Sequence, residues 1–293
     1  MITVTTCPIC GNNELKPYLT CGDYSISKET FNILQCSKCT FTFTSPRPDT
    51  AEIGKYYQSD IYISHHANKG GIIPWIYRTI RDIQFVNKTN IIKRYTAQNV
   101  SILDIGCGTG AFLEYCKKLN WSVIGVEPDQ DARNSAKDKS ITVYDLDNLN
   151  TTNENYDVIT MWHVLEHVHD LDERMKQLSK LIKEDGIVII AVPNYKAYDS
   201  QLYKSYWAAY DLPRHLSHFS IDTITRLFDN HMFKLAEIIP MKYDSYYVSI
   251  KSEEYIGANK IMGFIKGAIN GLKSNIKASR NNEYSSLIYV FKK

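Results

Sequence analysis

Residues 101–112, Ser-Ile-Leu-Asp-Ile-Gly-Cys-Gly-Thr-Gly-Ala-Phe, constrain the fold more than any other stretch of this 293-residue chain. An apolar run ends in three closely spaced glycines, and a helical pattern starts directly behind them. Further apolar runs at 122–126, 141–144, 156–161, 186–192, 233–239 and 286–291 read as strands, together with 101–105. Helical spacing at 110–119, 129–138, 171–183 and 221–230 falls between them. Strands alternating with helices predict an α/β fold, a parallel sheet covered on both faces.

Glycines let a backbone approach a ligand closely and take positive φ. Their spacing alone leaves two ligand classes open. Gly106, Gly108 and Ala111 satisfy the GxGxxG/A pattern of dinucleotide sites, and Glu127, about 20 residues on, suits a ribose hydroxyl in either class. Two features separate the classes. Asp104 puts a carboxylate just before the turn, which suits a cationic group and is unfavourable beside a pyrophosphate. Gly110 makes the run GxGxG.

With these residues in place, Asp104–Gly110 (DIGCGTG) resembles motif I of the class I S-adenosylmethionine-dependent methyltransferases. The resemblance implies a Rossmann-like sheet of seven strands, the last of them, 286–291, antiparallel. It implies that Asp104 helps position the amino-acid end of S-adenosylmethionine and that Gly106, Cys107, Gly108 and Gly110 pack beneath the cofactor. Glu127, followed by Pro128, would bind the ribose hydroxyls. Asp145 would meet the adenine amine, although a turn aspartate fits that position equally. Asp129 reads as the N-cap of the next helix. Trp162-His163-Val-Leu-Glu166-His167-Val resembles the HVLEHV stretch of many such enzymes. It places Trp162 and His163 at the cofactor, His163 towards the methionine end, with Glu166 and His167 as supports of the loop.

The N-terminal region has a different signature. Cys7-Pro-Ile-Cys10 and Cys36-Ser-Lys-Cys39 are two CxxC knuckles, while Cys21, Cys107 and Cys116 stand alone. The start of the chain lacks a basic stretch followed by an apolar one, so no secretory signal is expected and the reading is cytoplasmic. In a reducing compartment, two CxxC pairs read as a four-thiolate structural zinc site with no open coordination position. Redox cysteines are the alternative. The domain reading is a zinc-ribbon-like segment 1–60, a helical linker or cap 61–99, and a methyltransferase domain 100–293. Residues 1–60 carry a net charge of −1, which argues against nucleic acid as the partner. Basic stretches at 61–100 and 251–293, each net +5, flank an acidic middle.

A CxxC…CxxC segment ahead of such a domain looks like the sugar C-methyltransferases of deoxysugar pathways and their relatives in polysaccharide and secondary-metabolite pathways. In Tyr210-Asp-Leu-Pro-Arg214-His215-Leu-Ser217-His218-Phe219-Ser220, residues His215, Ser217, Phe219 and Ser220 match those enzymes; Arg214 and His218 replace their glutamate and tyrosine. The acceptor is therefore read as a small or carrier-linked molecule. An oxygen or carbon nucleophile needs a base near neutral pH, and histidine is suited to it. His215 is the candidate, with His218 beside it; the alternative is that both support a helix capped by Ser220. Arg214 fits either a grip on a substrate anion or an ion pair with Asp211.

Two helices complete the expectation. Residues 73–95 put Trp75, Ile76, Thr79, Ile80, Ile83 and Val86 at helical spacing. Within 255–280, Ile261, Phe264, Ile265, Ala268, Ile269, Leu272 and Ile276 form an apolar stripe, Lys266, Lys273 and Lys277 fall off it, and Gly263, Gly267 and Gly271 form a ridge. The reading is one inserted helix covering the substrate cleft; a helix lying on a membrane surface is the alternative. No apolar run approaches the ~20 residues of a spanning helix. Three rival functions are a zinc-ribbon ribosomal-RNA methyltransferase, whose zinc segment would be basic, a nicotinamide-dependent oxidoreductase, and a non-catalytic binding or scaffold protein keeping the fold.

Overall fold

The computed structural model describes residues 1–57, 72–151 and 154–293. The N-terminal strands are β1 (Leu15–Gly22), β2 (Thr30–Cys36) and β3 (Thr42–Thr44). Then follow α1 (Ile72–Lys93), β4 (Ser101–Ile105), α2 (Ala111–Lys117), β5 (Ser122–Val126), α3 (Gln130–Lys137), β6 (Thr142–Tyr144), α4 (Asn148–Thr151) and β7 (Tyr156–Trp162). The second half carries α5 (Leu171–Leu181), β8 (Ile182–Pro193), α6 (Tyr198–Tyr203), β9 (Ser217–His218), α7 (Ile221–Asp229), β10 (Lys234–Pro240), α8 (Asp244–Ile256), α9 (Lys260–Asn281) and β11 (Ser286–Lys292).

Seven strands form one sheet in the order β10-β11-β8-β7-β4-β5-β6, with the last strand of the chain antiparallel, as the resemblance implies. β4 lies at the centre and pairs in parallel with β5 and β7, which sets Asp104 opposite Gly125 and Thr160. Its sequence is apolar apart from Ser101 and Asp104, and Ile102 through Ile105 are all buried. Helix starts follow local chemistry. The Asp129 carboxylate accepts the Ala132 N–H at 2.8 Å, and Ser220 with Thr223 forms a reciprocal capping box at the start of α7.

A second, antiparallel sheet has the order β1-β2-β3-β9. Thr42 faces His218 and Phe43 faces Ser217, so the histidine-rich stretch supplies the last strand of the sheet that the knuckle segment begins. By internal contacts the chain divides into two compact units. One comprises 1–59, 163–175 and 190–290; the other comprises 60–162, 176–189 and 291–293. Of the expected linker 61–99, residues 61–71 lie outside the described residues.

Two helical expectations change. On α1, the side chains of Trp75, Ile76, Thr79 and Ile80 lie outside the described residues; of the rest of the expected stripe, Ile83 and Val86 are exposed, and the buried residues are Thr89, Ile91 and Ile92. The segment 255–280 is not one helix but the end of α8 and most of α9, separated at Gly257, whose φ is 91°. The ridge Gly263, Gly267, Gly271 is the buried face of α9, while the apolar stripe is exposed. A Cβ at Gly267 would overlap the Ile250 backbone, and one at Gly271 would lie 2.7 Å from the Tyr246 Cα. Close backbone approach needs glycine there, so the small residues and not the large ones make the packing face. Among the described residues, no helix is long and apolar enough to cross a membrane.

Candidate active site

Within the unit that carries β4 to β7, the turn after β4 is built on left-handed backbone. Gly106, Gly108 and Gly110 have φ of 74°, 53° and 69°. The N–H groups of Gly106 and Cys107 donate to the Val126 carbonyl at 2.7 and 3.2 Å, which fastens the turn to the end of β5. A Cβ at Gly110 would press on the Ala136 Cβ at 3.0 Å, whereas one at Gly108 would meet nothing within 4 Å. Gly110 is thus required by packing, and Gly108 leaves open space over the turn. The Cys107 thiol lies where a Cβ on Gly125 would be, 2.5 Å away, so the cysteine and the β5 glycine are a matched pair.

Carboxylates surround this turn. Both oxygens of Glu127 accept backbone N–H groups, from Gly108 at 2.9 Å and from Asp129 at 3.1 Å, so its orientation is set by the turn. Asp104 is buried and accepts the Thr160 hydroxyl at 2.6 Å. Burial pushes its pKa up to about 6, partly offset by the Thr160 bond and the Lys88 ammonium. Lys88, on α1, places its Nζ 4.0 Å from the centroid of the Trp162 ring and 5.2 Å from that of Phe112. The Trp162 face therefore already holds a cation, a property a sulfonium or ammonium ligand would use. Asp145 is half-exposed and pairs with Arg133 at 3.1 Å. Arg133 also donates to the carbonyls of Glu127 and Pro128, both at 2.7 Å, and so ties down the acidic turn. Sequence reasoning passed over Lys88 and Arg133; neither stands in a motif.

The other unit carries a cluster of histidines. His163 has a φ of 56° and donates its N–H to the Ala191 carbonyl at 2.9 Å. Its Nδ1 is 3.4 Å from Glu166 and its Nε2 is 3.2 Å from Asp244. Burial opposes its charge, yet the two carboxylates push its pKa up to about 10. Asp244, the first residue of α8, was also missed. Glu166 is 1% exposed, and beyond the ion pair with His163 its oxygens have no close hydrogen bond. Burial would raise its pKa, but the His163 imidazolium beside it brings it down to about 2.

One carboxylate oxygen of Glu166 and one ring nitrogen each of His167 and His215 lie within 4.8 Å of one another. His215 places Nδ1 2.9 Å from the Ala209 carbonyl, and His167 places Nδ1 3.0 Å from the Arg214 carbonyl and 2.9 Å from the Tyr57 hydroxyl. A carbonyl only accepts, so each Nδ1 carries the proton and each Nε2 keeps a lone pair. The two rings meet edge to face at 4.6 Å. His218 does not join them: its Nε2 is 3.2 Å from the Thr44 hydroxyl, and burial together with His215 pushes its pKa down to about 3. Of the two sequence candidates, the structure brings His215 to Glu166 and leaves His218 in the sheet pairing with β3.

Arg214 resolves to the structural alternative. It is 1% exposed and donates to Asp211 at 2.7 and 2.9 Å, to Asp23 at 2.9 Å and to the Tyr56 carbonyl at 2.9 Å. Asp23 in turn accepts N–H groups from Ser25, Ile26 and Ser27.

The four knuckle cysteines converge. Cys7 and Cys39 are 3.4 Å apart at sulfur, Cys10 and Cys36 are 3.6 Å apart, and all four sulfurs lie within 4.8 Å. Four thiolates around zinc, at ~2.3 Å each, stand about 3.8 Å apart. Both knuckles use the same bonds. The first sulfur takes N–H groups from the second and third residues after it, Ile9 and Cys10 for Cys7, Lys38 and Cys39 for Cys36. The residue after each second cysteine is left-handed, Gly11 at 68° and Thr40 at 62°.

Comparison with known proteins agrees with this architecture. A family model described as a methyltransferase domain matches residues 77–238, more than half of the chain. The ubiquinone biosynthesis O-methyltransferase of Pelagibacter ubique (strain HTCC1062) is 33% identical over 121 residues, covering 36% of this chain and 50% of that protein. That of Bradyrhizobium diazoefficiens is 33% identical over 104 residues, covering 32% and 40%. The chain thus spans half or less of the length of these curated relatives. Among solved structures, a putative sarcosine dimethylglycine methyltransferase from Galdieria sulphuraria shares the fold with a TM-score of 0.50 and 14% identity, over 72% of this chain and 85% of that one. Coclaurine N-methyltransferase bound to N-methylheliamine and SAH gives a TM-score of 0.50 at 17% identity, over 72% and 71%. On the family match, the seven-stranded sheet and the glycine turn, the chain belongs to the methyltransferase domain family.

Proposed function

We propose that this chain transfers a methyl group from S-adenosylmethionine to an oxygen of a small-molecule or carrier-linked acceptor, with His215 as the base. The observation that carries the reading is the Gly106–Gly110 turn, with open space over Gly108 and two flanking carboxylates that suit a cation and a ribose. Bound there, S-adenosylmethionine supplies a sulfonium methyl that is already a good electrophile. Asp104 would hold its cationic end, Glu127 its ribose and Asp145 its adenine. The names of the curated relatives favour an oxygen acceptor, and the PRHLSHFS stretch favours a sugar or a related biosynthetic precursor. His215 Nε2 would take the proton of the acceptor hydroxyl, whose oxygen would bond to the methyl carbon while the C–S electron pair stays with sulfur. Glu166 stabilises the resulting imidazolium. Four free thiols at tetrahedral spacing support a structural zinc that holds β1 to β3 together, and reduced cysteines fit a cytoplasmic setting.

The test has two arms. Asp104→Asn keeps the shape and the Thr160 contact but removes the charge. It should weaken S-adenosylmethionine binding more than ~10-fold in calorimetry, the loss of one buried charge-assisted contact. His215→Asn should lower turnover of labelled methyl into fractionated acceptor by ~10²–10⁴-fold while cofactor affinity stays within a factor of two. Unchanged affinity in the first variant removes the cofactor placement; an unchanged rate in the second removes the base.

A further inference from the structure

Helix α9 shows water the face that a soluble helix hides. Gly263, Gly267, Gly271, Ser274 and Ala278 are buried against its surroundings. On the outside stand Ile261 at 75% exposure and Phe264 at 61%, with Ile265, Ile269, Leu272 and Ile276 between 45% and 53%. At 100° per residue these six fall on one continuous stripe, about 22 Å long from end to end. Isolated exposed apolar residues are ordinary, but a contiguous stripe of this size marks a surface that meets something apolar.

The charges identify the partner. Helix α9 carries five cationic residues, Lys260, Lys266, Lys273, Lys277 and Arg280, and no acidic one. Lys266, Lys273 and Arg280 follow one edge of the stripe on the helical wheel, where a stem can lie along apolar surface while the head reaches outward. A second copy of the chain would set these acid-free edges against each other. An anionic interface would neutralise them. With an apolar stripe, a cationic border and no capacity to span, the helix has the make-up of one that lies in the plane of a membrane surface. We propose that α9 docks this protein on a bilayer surface bearing anionic lipids, its stripe in the acyl boundary and its lysines among the headgroup phosphates. Together with the proposed methyl transfer, this selects an acceptor presented at a membrane; docking itself does not depend on that activity.

The experiment is vesicle flotation of the full chain without cofactor, with catalysis measured separately, so that one reading can fail without the other. Wild type should float with phosphatidylglycerol–phosphatidylcholine vesicles, less with phosphatidylcholine alone, and less in high salt. The double variant Phe264→Ser, Ile265→Ser should stay with the unbound protein on both compositions. The double variant Lys266→Gln, Lys273→Gln should lose ~25-fold in affinity, about fivefold per lysine, on anionic vesicles only. All four side chains are exposed, and an unchanged circular dichroism spectrum shows that the variants fold. No flotation of wild type, or undiminished flotation of Phe264→Ser, Ile265→Ser, overturns the proposal. So does a dimer in light scattering that Phe264→Ser dissociates, because the stripe would then be a contact between copies.

Discussion

Replacing Arg214 by methionine would separate a structural arginine from one that grips substrate. The guanidinium is 1% exposed and serves two carboxylates and a backbone carbonyl. Methionine keeps most of the apolar bulk but leaves Asp23, itself 1% exposed, without a cation, its charge met only by the N–H groups of Ser25, Ile26 and Ser27 and the Ser27 hydroxyl. Removing one partner of such a pair costs ~3–5 kcal/mol, a large share of the 5–15 kcal/mol that holds a typical domain. The pH dependence follows from the carboxylates. Burial alone would raise their pKa values, but Arg214 holds both Asp23 and Asp211 below the usual range. Groups with depressed pKa values stabilise the fold above their unfolded pKa of ~3.9, and that contribution disappears as pH falls through the folded values. In Arg214→Met the sign reverses. A stranded carboxylate has a raised pKa, so lowering the pH protonates it in the folded state first and relieves the penalty by up to ~1.4 kcal/mol per unit. Urea unfolding should therefore show a loss of ~3–5 kcal/mol at pH 7.5 and a loss smaller by ~1–2 kcal/mol at pH 5. Arg214→Lys, which keeps the charge but not the planar fork, should fall between. A loss below ~1 kcal/mol, or one independent of pH, refutes the structural role. Intact stability with abolished turnover would return Arg214 to the substrate.

Two further outcomes test the turn and the knuckles. Gly125→Ala forces a Cβ to within 2.5 Å of the Cys107 sulfur and should cost ~1–3 kcal/mol. Adding Cys107→Ala should recover at least ~0.5 kcal/mol of it in a double-mutant cycle, whereas strict additivity would mean that the two do not meet. Purified protein should carry one zinc per chain by elemental analysis, lose it to a strong chelator with melting of β1 to β3, and fail to hold it in Cys36→Ser. A chain without zinc that keeps its thermal transition after chelation contradicts the zinc assignment.

The parts legible in the sequence are those whose physics is local. All seven strands of the main sheet fall within a few residues of their expected positions, and the most legible are the buried parallel strands β4 and β7, which are nearly continuous apolar runs. The caps at Asp129 and Ser220 follow from side chains that reach N–H groups three residues on. What escaped depends on distant pairing. Strand β9 exists only because Ser217 and His218 find Phe43 and Thr42, and nothing near residue 217 signals an edge strand. Lys88 over Trp162 and Asp244 beside His163 lack a spacing rule for the same reason. On α9 the rule misled. Large apolar residues usually mark the packed face of a helix, but here backbone approach at Gly267 and Gly271 decides the contact and turns the large residues outward.

The charge states of the groups around His215 bear on the proposed proton transfer. Glu166, held near 2, stays ionised at neutral pH and is far too weak a base to take a proton from an alcohol. His163, pushed up to about 10 by Asp244 and Glu166, is already protonated and has nothing to accept with. His167 is driven down to about 4, chiefly by burial, so it stays neutral at pH 7. Nδ1 of His215 is committed to the Ala209 carbonyl. In the proposed reaction His215 Nε2 is the ring nitrogen left to meet the acceptor, in the cluster that also holds the Glu166 carboxylate. The burial of Glu166, costly on its own, is offset by the His163 imidazolium beside it, and in the proposed reaction the same carboxylate would act through His215.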